Sequence, residues 1–321
     1  MIRITMPNRS HLLGLAAAVL IAASGAAPQS WAASAAAPTT FASAEEAVAT
    51  LVAALKTNDT AALGKVLGTG SEALINSGDR YADQRARERF LADYDEQHKL
   101  VPDGENRVVL DVGKDDWPLP IPVVKQDASW HFDTAAGAQE IVSRRIGRNE
   151  IAAIRVSLFY VDAQKDYFDR TKQAGGEGEY AQRLVSTANN HDGLFWPAQE
   201  GEVESPLAPL VAQAIEEGYP GAIVSGKPIP YQGYYYRILK AQGDRASGGA
   251  KDYMAGGKMT GGFALIAWPA SYGVSGIMTF LVDEDGVVFQ KDLGDPTPSL
   301  AAAITRFDPD ISWARVDVST N

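Results

Sequence analysis

Few side chains in this sequence could move a proton near neutral pH. Beyond residue 32 the histidines are His98, His131 and His191, and imidazole is the group whose charge changes between about pH 5 and 8. They show neither His-x-x-x-His nor His-x-Glu spacing, so no zinc site is predicted. His131 stands apart from the other two. It neighbours Trp130 in a run, Ser129 to Phe132, that reads as a β-strand, and Asp133 follows two residues on, on the same strand face. A carboxylate beside an imidazole can support proton transfer. A periplasmic hydrolase or lyase with a pocket around His131 and Asp133 is therefore the catalytic alternative for this chain.

The other polar motifs read as turns. Asp115-Asp116-Trp117-Pro118 brings two carboxylates together where Ca²⁺ needs about six oxygens or more. An Asx-type turn before proline accounts for it, and leaves Trp117 as a candidate ligand contact. Asp283-Glu284-Asp285-Gly286 lacks the later Glu of an EF-hand and reads as a hairpin, with glycine supplying the positive φ. Gly68-Thr69-Gly70-Ser71-Glu72-Ala73 fits a loose dinucleotide pattern but follows a helix, and Gly256-Gly257-Lys258 lacks the Ser or Thr of a phosphate loop. In Gly273-Val274-Ser275-Gly276-Ile277 an isoleucine replaces the second glycine of a nucleophile elbow. With no Cys there is neither a thiolate nucleophile nor a disulfide. No metal and no cofactor are predicted. The unusual feature is aromatic: Tyr231, Tyr234, Tyr235 and Tyr236 share one segment. Such rings stack on ligands or anchor interfaces, and strand alternation sends Tyr234 and Tyr236 to one face and Tyr235 to the other.

The 321 residues carry 29 Lys+Arg against 40 Asp+Glu, a net charge of −11. Affinity for nucleic acid and for anionic membranes comes from basic groups, so neither is a predicted partner. A composition that is 45% hydrophobic and 21% charged suits a globular chain with substantial cores. At the N-terminus Arg3 and Arg9 precede an apolar stretch, Leu12 to Ala23, and Ser30-Trp31-Ala32 offers small residues at the two positions a signal peptidase reads. Residues 1–32 are predicted to be a signal peptide and 33–40 a disordered leader, which makes the mature protein periplasmic or secreted. The apolar run falls short of the ~20 residues that span a bilayer, and no transmembrane segment is predicted after cleavage.

These residues need elements to hold them. Ser43-Ala44-Glu45-Glu46 reads as a capping box opening a helix with Val48, Leu51, Val52 and Leu55 on one face. Further helices are predicted over Thr60 to Leu67 and Asp79 to Tyr94, placing His98 near a helix end. Strands are predicted at Arg107 to Val112, Ile121 to Lys125 and Ser129 to Phe132. A long helical pattern runs from Gly137 to Phe168, a helical turn covers Tyr180 to Val185, and a short helix covers Pro206 to Ile215. Strands then follow at Gly233 to Leu239, Gly261 to Trp268, Ser275 to Val282 and Val287 to Lys291. The fold class is α+β: N-terminal helices on a curved antiparallel sheet over 41–145, then the long helix packed on a second antiparallel sheet over 146–321.

Gly113-Lys114-Asp115-Asp116-Trp117-Pro118, Arg144 to Glu150, Gly233 to Leu239, Gly261 to Leu265 and Gln290 to Gly294 together resemble the bacterial domain-of-unknown-function 2950 family. That resemblance implies no activity and no catalytic residues. The Trp-x-Phe-Asp strand after three helices makes residues 41–145 resemble the nuclear-transport-factor-2-like fold, whose sheet often lines a pocket. The helix and Tyr-rich strand of the second half are distantly similar to pilin-like heads. The expected role is non-catalytic, an exported binding or envelope-assembly component. Its partner would be an envelope protein or a small ligand, met by Trp117, His131, Tyr234, Tyr235 and Tyr236.

Overall fold

The computed structural model describes residues 39–220 and 228–317; the predicted signal peptide and residues 33–38 of the predicted leader lie outside them. Thr39, at the end of that leader, donates its hydroxyl to the Lys65 carbonyl oxygen at 2.8 Å. In α1 (Ala44–Lys56) Ser43 Oγ accepts the Glu46 N–H at 3.1 Å, while the Glu46 carboxylate reaches back to the Ala42 N–H at 2.8 Å. This is the predicted capping box with its return bond one residue early. Asp59 caps α2 (Thr60–Leu67), a short α3 (Glu72–Ile75) follows, and Asp79 caps α4 (Arg80–Glu96).

The helices precede an antiparallel sheet of β1 (His98–Pro102), β2 (Arg107–Val112), β3 (Trp117–Pro118), β4 (Val123–Gln126) and β5 (Ser129–Phe132). Its order is β1-β2-β4-β5, with β3 paired to β2. Asp127, at φ 54°, turns β4 into β5. Strand β1 is not predicted. Helix α4 ends where the Gln97 N–H still bonds the Asp93 carbonyl, and His98, the very next residue, pairs with Val112. His98 is therefore a strand residue rather than the helix-end residue expected, with its ring stacked on Tyr94 at 3.8 Å between centroids.

Helix α5 (Thr134–Gln173) runs for 40 residues, past both ends of its predicted span, and about 60 Å at 1.5 Å per residue. Its first turn presses on the preceding loop: a Cβ on Gly137 would sit 2.2 Å from the Pro120 carbonyl oxygen. Beyond it come α6 (Ala208–Glu216), β6 (Tyr234–Leu239), β7 (Ala241–Gln242), β8 (Lys251–Asp252), β9 (Met254–Ala255) and β10 (Lys258–Met259). The chain continues through β11 (Ala264–Pro269), β12 (Met278–Asp283), β13 (Val288–Asp292), α7 (Thr297–Ala303) and β14 (Ala314–Arg315). The second sheet has the antiparallel order β14-β13-β12-β11-β6, while β7–β8 and β9–β10 form separate ribbons.

Buried apolar residues form two clusters. One gathers Phe41, Val48, Leu51, Leu110, Val123 and Phe132, with Ile141 of α5 packed against it. The other gathers Ile154 and Tyr160 of α5 with Tyr234, Phe263, Leu265, Phe280 and Phe307. Between these contacts α5 is tied to the second sheet, where Glu150 Oε1 accepts the Ile277 and Met278 N–H groups at 2.9 and 3.0 Å.

The helical turn expected over Tyr180 to Val185 is extended instead. Tyr180 bridges Met259 and Val185 bridges Phe195. The cause is Gln164 of α5, fully buried. Its amide donates to the Ala181 carbonyl oxygen and accepts the Ala181 N–H, both at 2.8 Å. A side chain here completes the hydrogen bonds that a neighbouring strand would otherwise make.

Candidate functional site

Amphipathic α6 turns Leu210, Val211 and Ala214 inward, yet none of its residues is fully buried. Beneath them is a cavity of about 210 Å³. Its floor is Tyr160 of α5, Tyr236 of β6 and Leu265 of β11; its walls include Leu184, Phe195, Tyr219 and Tyr231. The wall that carries Leu184 and Val185 follows the extended course that Gln164 gives the chain at Ala181. One turn, closed by two hydrogen bonds, fixes the opposite wall. The Tyr231 N–H bonds the Tyr234 carbonyl oxygen at 2.8 Å, and the Tyr234 N–H bonds that of Tyr231 at 3.1 Å. Between them Gln232 and Gly233 both adopt positive φ, 52° and 77°, the geometry of a tight hairpin turn.

Three of the cavity's tyrosines, Tyr160, Tyr219 and Tyr236, offer their rings with the hydroxyls already bonded. Tyr160 donates to the Ala264 carbonyl oxygen at 3.2 Å and accepts from Gln164 at 3.0 Å. Tyr219 donates to Asp79 Oδ2 at 2.7 Å and accepts the Gln232 N–H at 3.1 Å. Tyr236 reaches the Tyr231 carbonyl oxygen at 3.4 Å. Burial raises the pKa of the Tyr160, Tyr219 and Tyr236 phenols above the ordinary tyrosine value, and burial together with the Glu217 charge pushes Tyr231 up to about 12. Every one of these rings is neutral at physiological pH. Among the described residues the lining is apolar or tyrosine, with no carboxylate, imidazole or ammonium. Such a site can bind an apolar group.

Behind the wall sits Asp79, wholly buried. Its Oδ1 caps α4 through the Tyr81 and Ala82 N–H groups at 3.2 and 3.1 Å, and its Oδ2 accepts from the Tyr219 hydroxyl and from the Gly233 N–H at 2.9 Å. Burial raises the pKa of this carboxyl against the opposing pull of its hydrogen bonds. Gly233 is required here, since a Cβ would lie 2.3 Å from Asn149 Nδ2.

The residues singled out from sequence do not converge on one site. Trp117 lies at β3, 42% exposed, with the Arg144 guanidinium 5.3 Å above its ring. His131 lies on β5 opposite Val124, half-buried. Asp133 is engaged in capping α5, its Oδ1 accepting the Ala136 N–H at 3.2 Å, and among the described residues no hydrogen bond joins it to His131. Tyr234 is fully buried, its hydroxyl on the Met278 carbonyl oxygen at 3.0 Å. Tyr235 packs against Trp268 at 5.7 Å between centroids. Of the five, Tyr236 alone lines the cavity. Leu210, Val211 and Ala214 carried a signal that could have found it: a short helix with a strong apolar face and no partner predicted for that face. Among the described residues no group of three or more metal-binding side chains is assembled, and no helix is long and apolar enough to cross a membrane.

The chain belongs to the family described as Protein of unknown function (DUF2950), whose model matches residues 38–316. No curated protein and no solved structure matches it.

Proposed function

We propose that this chain is an exported, non-catalytic binding protein that receives an apolar group in the cavity beneath α6. The observation that carries this is the lining: a cavity of about 210 Å³ walled by aliphatic side chains and by tyrosines, of which Tyr160, Tyr219 and Tyr236 already have their hydroxyls bonded elsewhere. A dry apolar cavity of about 150 Å³ can hold a benzene-sized molecule, so this one suits an aromatic ring or a short alkyl chain. Export is supported by the N-terminal pattern of Arg3, Arg9, the Leu12 to Ala23 stretch and Ser30-Trp31-Ala32.

A neutral naphthylamine dye should bind with a fluorescence rise and be displaced by short aromatic alcohols. Filling the cavity by Ala214→Trp or Val211→Trp should abolish the signal while the thermal midpoint stays within a few degrees. Equal dye binding by the native protein and both variants would place the apolar site elsewhere. For export, fractionation of the host should recover a chain beginning near Ala33 outside the cytoplasm; an intact Met1 on a cytoplasmic form would refute that half of the proposal.

A further inference from the structure

One side of the cavity beneath α6 is a concentration of aromatic rings. Tyr219 and Tyr231 make a corner there, with ring centroids 5.1 Å apart and planes inclined at 68°. Tyr236 adds a third ring, tied to Tyr231 by its hydroxyl on the Tyr231 carbonyl oxygen at 3.4 Å. The face of an aromatic ring is the negative end of its quadrupole, so several rings around one small space favour a cation.

Two carboxylates stand behind these rings. Asp79 Oδ2 accepts the Tyr219 hydroxyl at 2.7 Å. Glu217 accepts from the side chain of Gln232, the neighbour of Tyr231 in the hairpin turn, and from Gln213 at 2.9 Å. Every donor to the two acids is neutral, since Asp79 otherwise takes the N–H groups of Tyr81, Ala82 and Gly233. Among the described residues neither acid is in an ion pair. Arg85 reaches the end of α6 but gives its bond to the Glu216 carbonyl oxygen at 2.8 Å. A phenol that donates to a carboxylate is polarised by it, and the unpaired acids add a negative potential at this wall.

We infer that the guest of this cavity is a quaternary ammonium, the trimethylammonium head of a small cation, held against Tyr219, Tyr231 and Tyr236. This rests on the cavity being the binding site proposed above, and names what it selects. The methyl groups meet the aliphatic side chains of Leu210 and Val211, and the charge meets the rings. A primary ammonium carries three N–H donors. Among the described residues the lining offers them no carboxylate, so they would enter at the cost of lost hydrogen bonds. A quaternary nitrogen has none to lose. Such a head is close to benzene in size, which a cavity of about 150 Å³ admits, and the cavity here is about 210 Å³. The net charge of −11 draws small cations to the chain as a whole.

Calorimetric titration of the full mature chain with choline chloride and with dimethylbutanol, its neutral isostere with carbon in place of nitrogen, tests this. Sodium chloride at equal ionic strength is the blank. Choline should bind about tenfold or more tighter than the alcohol, and ethanolamine should give no saturable heat. Glu217→Gln should weaken choline by about threefold or more, and the alcohol by less. Ala214→Trp should abolish the heat of both. Equal or tighter binding of the alcohol overturns the ammonium as guest and leaves the apolar cavity standing. So does a native protein that binds the naphthylamine dye in the cavity yet gives no heat with choline. Ethanolamine bound as tightly as choline overturns the preference for a quaternary nitrogen, and choline heat that persists in Ala214→Trp overturns the site. Absence of both dye and choline binding overturns the cavity reading and this inference with it. The comparison of choline with its isostere uses the native chain, so it decides even if a variant misfolds.

Discussion

The Tyr219 hydroxyl donates to Asp79 Oδ2 at 2.7 Å across 140 residues of sequence. The same carboxylate caps α4 and accepts the Gly233 N–H, so one buried side chain fixes a helix start, a cavity wall and the turn into β6. Removing a donor from a buried carboxylate leaves it short of a partner, a loss of about 1–3 kcal/mol. Tyr219→Phe should therefore lower the free energy of unfolding in urea by that amount. Asp79→Ala should cost more, about 3 kcal/mol or above, because it removes a cap and orphans two donors. A double-mutant cycle should show the two substitutions coupled by about 1 kcal/mol or more. Purely additive losses would mean that the bond contributes little.

Stability should also respond to Asp283. Burial, then the charge of Asp285, pushes this carboxyl up to about 6, against about 3.9 in an unfolded chain. The folded state holds the proton more tightly than the unfolded state. The stabilisation is therefore present when the group is protonated, below about pH 4, and is lost as pH rises through about 6. Asp283→Asn removes the charge and keeps an oxygen for the Asp285 N–H, which Asp283 accepts at 3.2 Å. The variant should melt above the native protein at pH 7 and with it at pH 4. A gap that persists unchanged at pH 4 would exclude ionisation as its cause.

Local signals announced α1, α2, α4, α5 and α6 and the strands β2, β4, β5, β6, β11, β12 and β13, because they rest on spacing within about ten residues, as Ser43 with Glu46 acts on its own neighbourhood. What escaped was made by distant partners. Tyr180 to Val185 has helix-compatible residues, and only the buried amide of Gln164, from the far side of a loop, draws Ala181 into an extended course. His98 joins a strand because Val112 is there to pair with it. The cavity was hidden for the same reason, since Tyr160, Tyr236 and Ala214 meet only after α5, β6 and α6 have packed. Asp79 read as the first residue of a helix, and its bond to the Gly233 N–H comes from 154 residues on.

The tyrosines of β6 should separate by face. Tyr234 is fully buried and its ring lies 5.8 Å from Phe280 between centroids, so Tyr234→Ala should cost about 3–5 kcal/mol. Tyr235 is half-buried and rests on Trp268, and its alanine variant should lose about 1 kcal/mol. Tyr236→Phe gives up only the 3.4 Å bond to the Tyr231 carbonyl oxygen. It should unfold close to the native midpoint and bind the naphthylamine dye at least as well, since the ring that lines the cavity remains. If Tyr236→Phe destabilises as strongly as Tyr234→Ala, the hydroxyl is structural and the floor of the cavity has been misjudged.

Limited proteolysis should open the chain first beside α6. Residues 197–204 form an unbroken exposed stretch containing Glu200, Glu202 and Glu204, tied by a reciprocal pair between Gln199 and Glu202, the Gln199 N–H on the Glu202 carboxylate at 2.9 Å and the Glu202 N–H on the Gln199 carbonyl oxygen at 3.0 Å, and at its end by Arg170 on the Glu204 carbonyl oxygen. The Gly-containing loop from Gln242 to Gly249 looks as vulnerable by composition but is pinned. Gln242 Nε2 donates to the Ser247 and Gly249 carbonyl oxygens at 2.9 and 2.6 Å, and Arg245 is held by Asp308 and Asp310. Cleavage requires several residues of backbone to leave the surface together, which free loops do readily and pinned ones do not. A glutamate-specific protease should therefore nick at 200–204 well before any cut at 242–249, measured by mass of the fragments. Saturating the cavity with the naphthylamine dye should slow that first nick, because α6, directly after it, packs on the occupied site. A nick rate indifferent to the dye would mean that α6 is already held as firmly without an occupant as with one.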